Sequence, residues 1–247
     1  MKFWKMEGLS NDFVVVTGPC SLSAEEVVAL CDRRRGVGAD GVLVVSNQGE
    51  RVGMGYFNAD GSAAEMCGNG LRCVARLAVE MGMVSAPDFV VDTPVGPRRV
   101  QVRSSEVTAE LGPVTLGERR RLEDRVFQLV SVGNPHAVTW VADLDKVPLT
   151  TMAKSLQSRF SSGVNVEVVT VDSPTQLSMR VWERGVGETA ACGTGAVAAA
   201  AAGLAQGLTR RRVEVSLKGG AARVELREGT SFITGPARLV YRGEWIT

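Results

Sequence analysis

An internal repeat constrains this chain more than any other feature. Residues 57–70 (FNADGSAAEMCGNG) and 182–195 (WERGVGETAACGTG) both run from an aromatic residue through a polar loop to Cys-Gly-x-Gly. The two cysteines, Cys67 and Cys192, stand 125 residues apart. Each motif opens an apolar, small-residue stretch ending at a glycine, 71–81 before Gly82 and 196–206 before Gly207. Upstream, residues 8–16 (GLSNDFVVV) match 132–140 (VGNPHAVTW), and 36–45 (GVGADGVLVV) match 161–170 (SSGVNVEVVT). Four segments recurring in one order imply a duplicated unit and therefore two domains. The turn and charge signals of residues 113–121 (PVTLGERRR) place the boundary there. One half is then residues 1–113, completed by about 237–247, and the other is 114–236.

Periodicity supplies the elements. Residues 2–5, 13–17, 41–46, 53–57, 89–92 and 98–102 read as strands. Residues 23–33 read as a helix, with Ser23 as N-cap and Glu26 three residues on forming a capping box. The stretch AVAAAAAG at 196–203 is apolar on every face, so a helix there must be buried on all sides. The expected fold is mixed α/β, with two pseudo-symmetric domains, each a curved sheet wrapped around one central helix.

Composition excludes several function classes. A net charge of +1 gives no global field for nucleic acid or an acidic membrane. The longest apolar run, 196–205, falls short of the roughly 20 residues a membrane helix needs. Lys5, Glu7, Asn11 and Asp12 interrupt any signal-peptide core. Five cysteines without a CxxC pair argue against a disulfide framework, structural zinc or thioredoxin-type redox chemistry, and a lone histidine, His136, argues against a histidine-based metal site. A reduced, cytoplasmic protein acting on a small molecule is the expectation.

Each Cys-Gly-x-Gly sits at a helix start. First-turn N–H groups there lack intrahelical partners and bind anions, glycines allow close approach, and the macrodipole favours a thiolate. Duplication would aim two such ends at one anionic group, with donors from Gly68, Asn69, Gly193 and Thr194. Cys67 and Cys192 on opposite faces of an acidic carbon would form a two-base pair for inverting a stereocentre. Cys20, Cys31 and Cys73 lack matched context and read as packing residues. Glu183 and Arg184, eight to nine residues before Cys192, and Asn58, nine before Cys67, suit an amino-acid head group. Asn11, Asn134 and Asn165 read by themselves as turn caps, and His136 as a structural histidine able to tune a thiol.

The segments MEGLSNDF, GVGADG, FNADGS through MCGNG, VGNPH, GVNVE and WERGVGETAACGTG together resemble the diaminopimelate epimerase family over nearly the whole chain. The resemblance implies a cofactor-independent epimerase interconverting LL- and meso-diaminopimelate, on the route to lysine and cell-wall precursors. It implies that Cys67 and Cys192 are the acid/base thiols and that His136 and Glu183 modulate them. Asn11, Asn58, Asn134, Asn165, Glu183 and Arg184 would hold the substrate, with Arg184 on the non-reacting carboxylate. Gly68, Asn69, Gly193 and Thr194 would bind the reacting carboxylate. Tyr241 matches a tyrosine linked to dimer formation, which implies a homodimer. The chain departs from the family at Gly41, where some members carry glutamine, and at Ser10, where glycine is usual. Pyridoxal phosphate is disfavoured because no lysine lies in any motif. The alternatives are another pyridoxal-independent racemase on the same scaffold, or a non-enzymatic switch in which the two cysteines form a regulatory disulfide.

Overall fold

Short runs of Val, Leu and Met bounded by glycine and polar turns set most of the chain into strands, as β-branched and alternating apolar residues do. A computed structural model of the chain describes every residue except Pro19, Cys20, Gln48, Glu50, Glu65 and Thr247; the reading of Cys20 therefore lies outside the described residues. The chain divides into two compact units, Met1–Ala109 with Gly235–Thr247, and Glu110–Thr234.

The first unit contains β1 (Lys2–Gly8), β2 (Asn11–Thr17), α1 (Ala24–Cys31), β3 (Gly41–Asn47), β4 (Val52–Asn58) and α2 (Gly68–Glu80). β5 (Asp88–Thr93), β6 (Gly96–Arg103) and β7 (Glu106–Gly112) follow, and β7 leads the chain into the second unit. That unit contains β8 (Thr115–Leu122), β9 (Arg125–Ser131), β10 (Pro135–Trp140), α3 (Leu149–Gln157), β11 (Asn165–Ser173) and β12 (Gln176–Glu183). It closes with β13 (Gly187–Thr189), α4 (Gly193–Ala205), β14 (Arg212–Leu217), β15 (Gly220–Arg227) and β16 (Thr230–Pro236), after which β17 (Arg238–Glu244) rejoins the first unit.

The two units share one strand plan. In the first, β1 is antiparallel to both β17 and β2, β2 is parallel to β3, β3 antiparallel to β4, and β4 parallel to β5. In the second, β9 is antiparallel to both β8 and β10, β10 is parallel to β11, β11 antiparallel to β12, and β12 parallel to β14. Even the register agrees: Phe13 pairs with Gly41 as His136 pairs with Asn165.

Each unit encloses one helix. α2 touches β1, β2, β3, β4, β6 and β17, while α4 touches β9, β10, β11, β12, β14 and β15. Every residue of α4 from Gly193 to Gly203 is buried, as the absence of a polar flank requires. The other two helices cover the opposite sheet faces. Val27, Leu30 and Cys31 of α1 pack with Val14, Val16 and Val42, and Leu149, Met152 and Leu156 of α3 pack with Ala137, Val166 and Val168. Strand alternation then sends Phe13, Leu43, His136 and Glu167 toward the enclosed helices. Among the described residues no helix is long and apolar enough to cross a membrane.

Local readings meet the structure with two differences. Ser23 and Glu26 form the capping box, but α1 stops at Cys31 because the Asp32 carboxylate accepts the Arg34 and Arg35 N–H groups at 2.8 Å and turns the chain. Residues 115–122, where the turn and charge signals suggest a domain boundary, form strand β8. Their side chains are nearly all exposed, so no apolar alternation marks the strand.

Leu9 and Ser10 both take positive φ, 58° and 62°, in the two-residue turn joining β1 to β2, the geometry of a right-twisted hairpin. A side chain at such a position is strained, so Ser10→Gly is expected to raise stability by about 1 kcal/mol. The urea midpoint measures it; an unchanged or lowered midpoint contradicts the assignment.

Candidate active site

Each repeated cysteine is the N-cap of an enclosed helix. Cys67 is extended (φ −140°, ψ 111°) and its Sγ accepts the Gly70 N–H at 3.4 Å; Cys192 is extended (φ −125°, ψ 115°) and its Sγ accepts the Gly195 N–H at 3.4 Å. The glycines are needed for space: a Cβ on Gly195 would stand 2.8 Å from Glu167 Oε1, and one on Gly70 would stand 3.0 Å from Leu43.

Around Cys67, in the first unit, stand amides and the Arg72 guanidinium, with the Asp40 and Glu7 carboxylates one contact further out. Asn11 Oδ1 accepts from Asn69 Nδ2 at 3.2 Å and lies 3.7 Å from the Cys67 sulfur, while Asn11 Nδ2 donates to Asp40 at 2.7 Å. Arg72 lies fully buried inside α2, donating to Asn69 Oδ1 at 2.9 Å, to the Gly68 carbonyl at 3.3 Å and to the Pro236 carbonyl at 3.4 Å. Asn58 donates to Ser62 Oγ at 3.0 Å, closing its own turn.

Around Cys192, in the second unit, the groups are acids and hydroxyls. Thr194 Oγ1 lies 3.4 Å from the sulfur. Glu183 hydrogen-bonds the thiol and accepts from Thr189 Oγ1 at 2.5 Å. Asn134 Nδ2 donates to Thr194 Oγ1 at 3.3 Å, and Asn134 Oδ1 faces His136 Nε2 at 2.9 Å. His136 Nδ1 in turn meets Glu167 Oε1 at 2.7 Å, with both side chains fully buried. Asn165 accepts from the Arg184 backbone N–H at 2.9 Å and donates to the Pro135 carbonyl at 3.0 Å, and the exposed Arg184 guanidinium donates to the Ser162 carbonyl at 2.9 Å.

The structure thus gathers Cys67, Asn11, Gly68 and Asn69 in one group, and Cys192, Gly193, Thr194, Asn134, His136 and Glu183 in another. Asn165 and Arg184 form a neighbouring pair, and Tyr241 lies apart on β17, where it is exposed. Two residues of these groups escaped the sequence reading. Arg72 and Glu167 are charged residues within largely apolar runs, GLRCVARLAV and NVEVVTV, but Arg76 shares the first run, so the interruption alone does not single them out.

The model of the family described as diaminopimelate epimerase matches residues 3–117 and 128–240. A diaminopimelate epimerase of Pelotomaculum thermopropionicum is 41% identical, over 99% of each chain. One of Corynebacterium aurimucosum is 42% identical, also over 99% of each chain. The chain belongs to the diaminopimelate epimerase family. Among solved structures, a phenazine biosynthesis protein of the PhzF family from Bacillus anthracis aligns with TM-score 0.79 at 15% identity, covering 100% of this chain and 99% of that one. A hydroxyproline epimerase from Agrobacterium vitis aligns with TM-score 0.74 at 18% identity, covering 98% and 91%; at such identity these two speak for the fold alone.

The electrostatics of this family member differ between its two units. Helix-end physics led to the expectation of a readily ionised thiol, and the structure corrects it at Cys192. Burial pushes that thiol well above its ordinary value, and the charges of Glu183 and Glu167 push it further. Thr194 and the Gly195 N–H oppose them without prevailing. Burial likewise raises Glu183, against its hydrogen bonds from Thr189 and Cys192. Cys31 and Cys73 behave as packing thiols: burial raises Cys31 to about 11 and Cys73 further still. On the first unit's side the buried ionisable group is the Arg72 guanidinium: burial lowers its pKa, while Cys73, Cys67 and Glu7 act to raise it.

Iodoacetamide alkylation followed peptide by peptide checks this. Cys192 is expected to react slowly at neutral pH and to accelerate only above the usual cysteine range. Glu183→Gln removes a negative neighbour and so moves the Cys192 curve to lower pH. Fast neutral-pH alkylation of Cys192, or a shift in the opposite direction, contradicts the assignment.

Proposed function

We propose that the protein is a diaminopimelate epimerase that interconverts the LL and meso forms of diaminopimelate by a two-base mechanism, with Cys67 and Cys192 as acid and base. The observation that carries the reading is the matched placement of the two sulfurs. In a member of this family, each caps a buried helix through a glycine N–H at the same 3.4 Å.

A sulfur at a helix start sits beside N–H groups that have no intrahelical acceptor. The substrate carboxylate next to the reacting carbon takes these donors, at Gly68 and Asn69 on one side and Gly193 and Thr194 on the other. As one thiolate removes the Cα proton, negative charge spreads into that carboxylate, and fixed donors stabilise it most in the transition state. The second thiol delivers a proton to the opposite face, and the configuration inverts. Cys192 enters the cycle as the proton donor, because burial and two carboxylates hold its proton. Cys67 then acts as the base, with the Arg72 guanidinium as the buried positive charge on its side. The thiols exchange roles in the reverse direction. Arg184, Asn165, Asn134, Asn58, Asn11 and Glu183 hold the rest of the substrate, with Arg184 on the distal carboxylate. His136 and Glu183 tune the sulfurs. The chemistry draws only on protein groups and needs no cofactor or metal.

Cys67→Ala and Cys192→Ala are each expected to lower epimerisation by roughly 10²- to 10⁴-fold or more, the range lost with a positioned acid or base. Conversion of LL-diaminopimelate to the meso form, followed by chiral chromatography, measures it. Either variant keeping the full rate contradicts the two-base reading, and wild-type protein inert on diaminopimelate but active on a monocarboxylic amino acid contradicts the substrate.

The working unit in this reading is a cytoplasmic homodimer. Strand β17 exposes Leu239, Val240 and Tyr241, and Tyr241 stands edge-on to Phe3 with centroids 6.0 Å apart. Light scattering is expected to give twice the chain mass for the wild type and a shift toward one chain for Tyr241→Ala. A monomeric wild type contradicts the dimer.

A further inference from the structure

Glu167 enters the scheme above only through its charge, yet it lies under the first turn of α4 with its carboxyl completely buried. Oε1 meets His136 Nδ1 at 2.7 Å, and Oε2 has no hydrogen-bond partner. A buried carboxyl left half-satisfied is costly, so packing alone does not explain its presence.

The duplicate unit supplies an internal control. Its strands β2 and β3 pair in the same register as β10 and β11. Phe13 occupies the place of His136, and Leu43 that of Glu167. A Cβ on Gly70 would meet Leu43, just as one on Gly195 would meet Glu167 Oε1. Phe13 and Leu43 are both fully buried. An apolar pair therefore satisfies this position of the fold, and the polar pair has another task.

Donor and acceptor chemistry defines that task. A carbonyl oxygen only accepts, so Asn134 Oδ1 facing His136 Nε2 requires a proton on Nε2. Two lone pairs cannot face each other at 2.7 Å, so a second proton lies between His136 Nδ1 and Glu167 Oε1. His136 Nε2–H then donates to Asn134, Asn134 Nδ2–H donates to Thr194 Oγ1, and the Thr194 hydroxyl hydrogen is left for the sulfur of Cys192. Of the two carboxylates whose charge raises that thiol, Glu167 reaches it through this donor chain. The remaining ionisable group against the sulfur is Glu183 on β12, which hydrogen-bonds the thiol directly.

We propose that Glu167 is a positioning residue of the epimerase. By holding His136 at Nδ1 it keeps Nε2–H aimed at Asn134, so that every donor from His136 through Asn134 to Thr194 points at the sulfur of Cys192. The chain receives Cys192 as a thiolate once it has delivered its proton to the substrate carbon. This rests on the reading of Cys192 as an acid/base.

His136 is the sole histidine of the chain, so ¹⁵N-histidine labelling reports it without assignment. The wild type is expected to show Nε2 protonated and a strongly hydrogen-bonded proton at Nδ1. Glu167→Gln is expected to remove the Nδ1 proton and to lower kcat by roughly 10- to 100-fold, the loss that follows a broken charge-assisted hydrogen bond, with KM little changed. The double variant His136→Phe/Glu167→Leu copies the first unit. It is expected to fold with a Tm at or above that of the wild type, since an apolar pair replaces a buried ionisable one, yet to show the same loss of kcat. An unprotonated Nε2 in the wild type, or a double variant with wild-type kcat, overturns the proposal. Wild-type protein that never epimerises diaminopimelate overturns the functional reading instead, while the nitrogen signals still report the donor chain.

Discussion

A helix enclosed by a curved sheet is surrounded by protein, and its first-turn N–H groups still require acceptors. Both enclosed helices meet that requirement with a cysteine sulfur, at the same distance and in the same extended backbone conformation. Sulfur is a weak acceptor, and the N-cap position ordinarily favours the oxygen of Ser, Thr, Asn or Asp. A side chain that is second best for capping, repeated in both units, fits the acid/base role proposed for it. The strand plan, the glycines at Gly70 and Gly195 and the small residues of α4 all serve to bring the sulfur and the helix end into one place.

On this shared frame the two units carry different electrostatics. The first places a fully buried guanidinium, Arg72, behind Asn69 and near Cys67. The second places Glu183 against Cys192 and sets the His136–Glu167 couple behind it. A single-base enzyme has no use for such a difference. A pair of thiols that must begin each turnover in unlike protonation states does, because two thiolates beside one substrate would repel and two thiols would have no base. In the two-base reading proposed above, duplication supplied the geometry, and divergence at a few inward positions, Phe13 against His136 and Leu43 against Glu167, separates the roles.

Much of this was legible in the residues. The repeat implied two like units, and the ordered matches around Asn11/Asn134 and Cys67/Cys192 fall on equivalent strand and helix ends. The all-apolar stretch after Cys192 implied a helix buried on every side. Other features were hidden for physical reasons. Strand β8 has its side chains in solvent, so it lacks the alternation that marks a half-buried strand. The raised proton affinity of Cys192 comes from burial and from carboxylates nine and 25 residues away in sequence, whereas adjacency to a helix start suggested the reverse. Arg72 and Glu167 touch their partners only through the fold, and nothing local distinguishes a buried charge from an exposed one.

The central claim is that two sulfurs act on one carbon from opposite faces, and isotope tracing early in turnover tests it most directly. LL-diaminopimelate is incubated in deuterated water and quenched after a few per cent conversion. The account predicts one deuterium at the inverted carbon of the meso product and none in the recovered LL substrate, because the donor thiol carries a solvent-derived hydron and the accepting thiol carries the substrate proton. Meso product that retains the substrate's own hydrogen at that carbon means that one group did both jobs, and it would contradict the account.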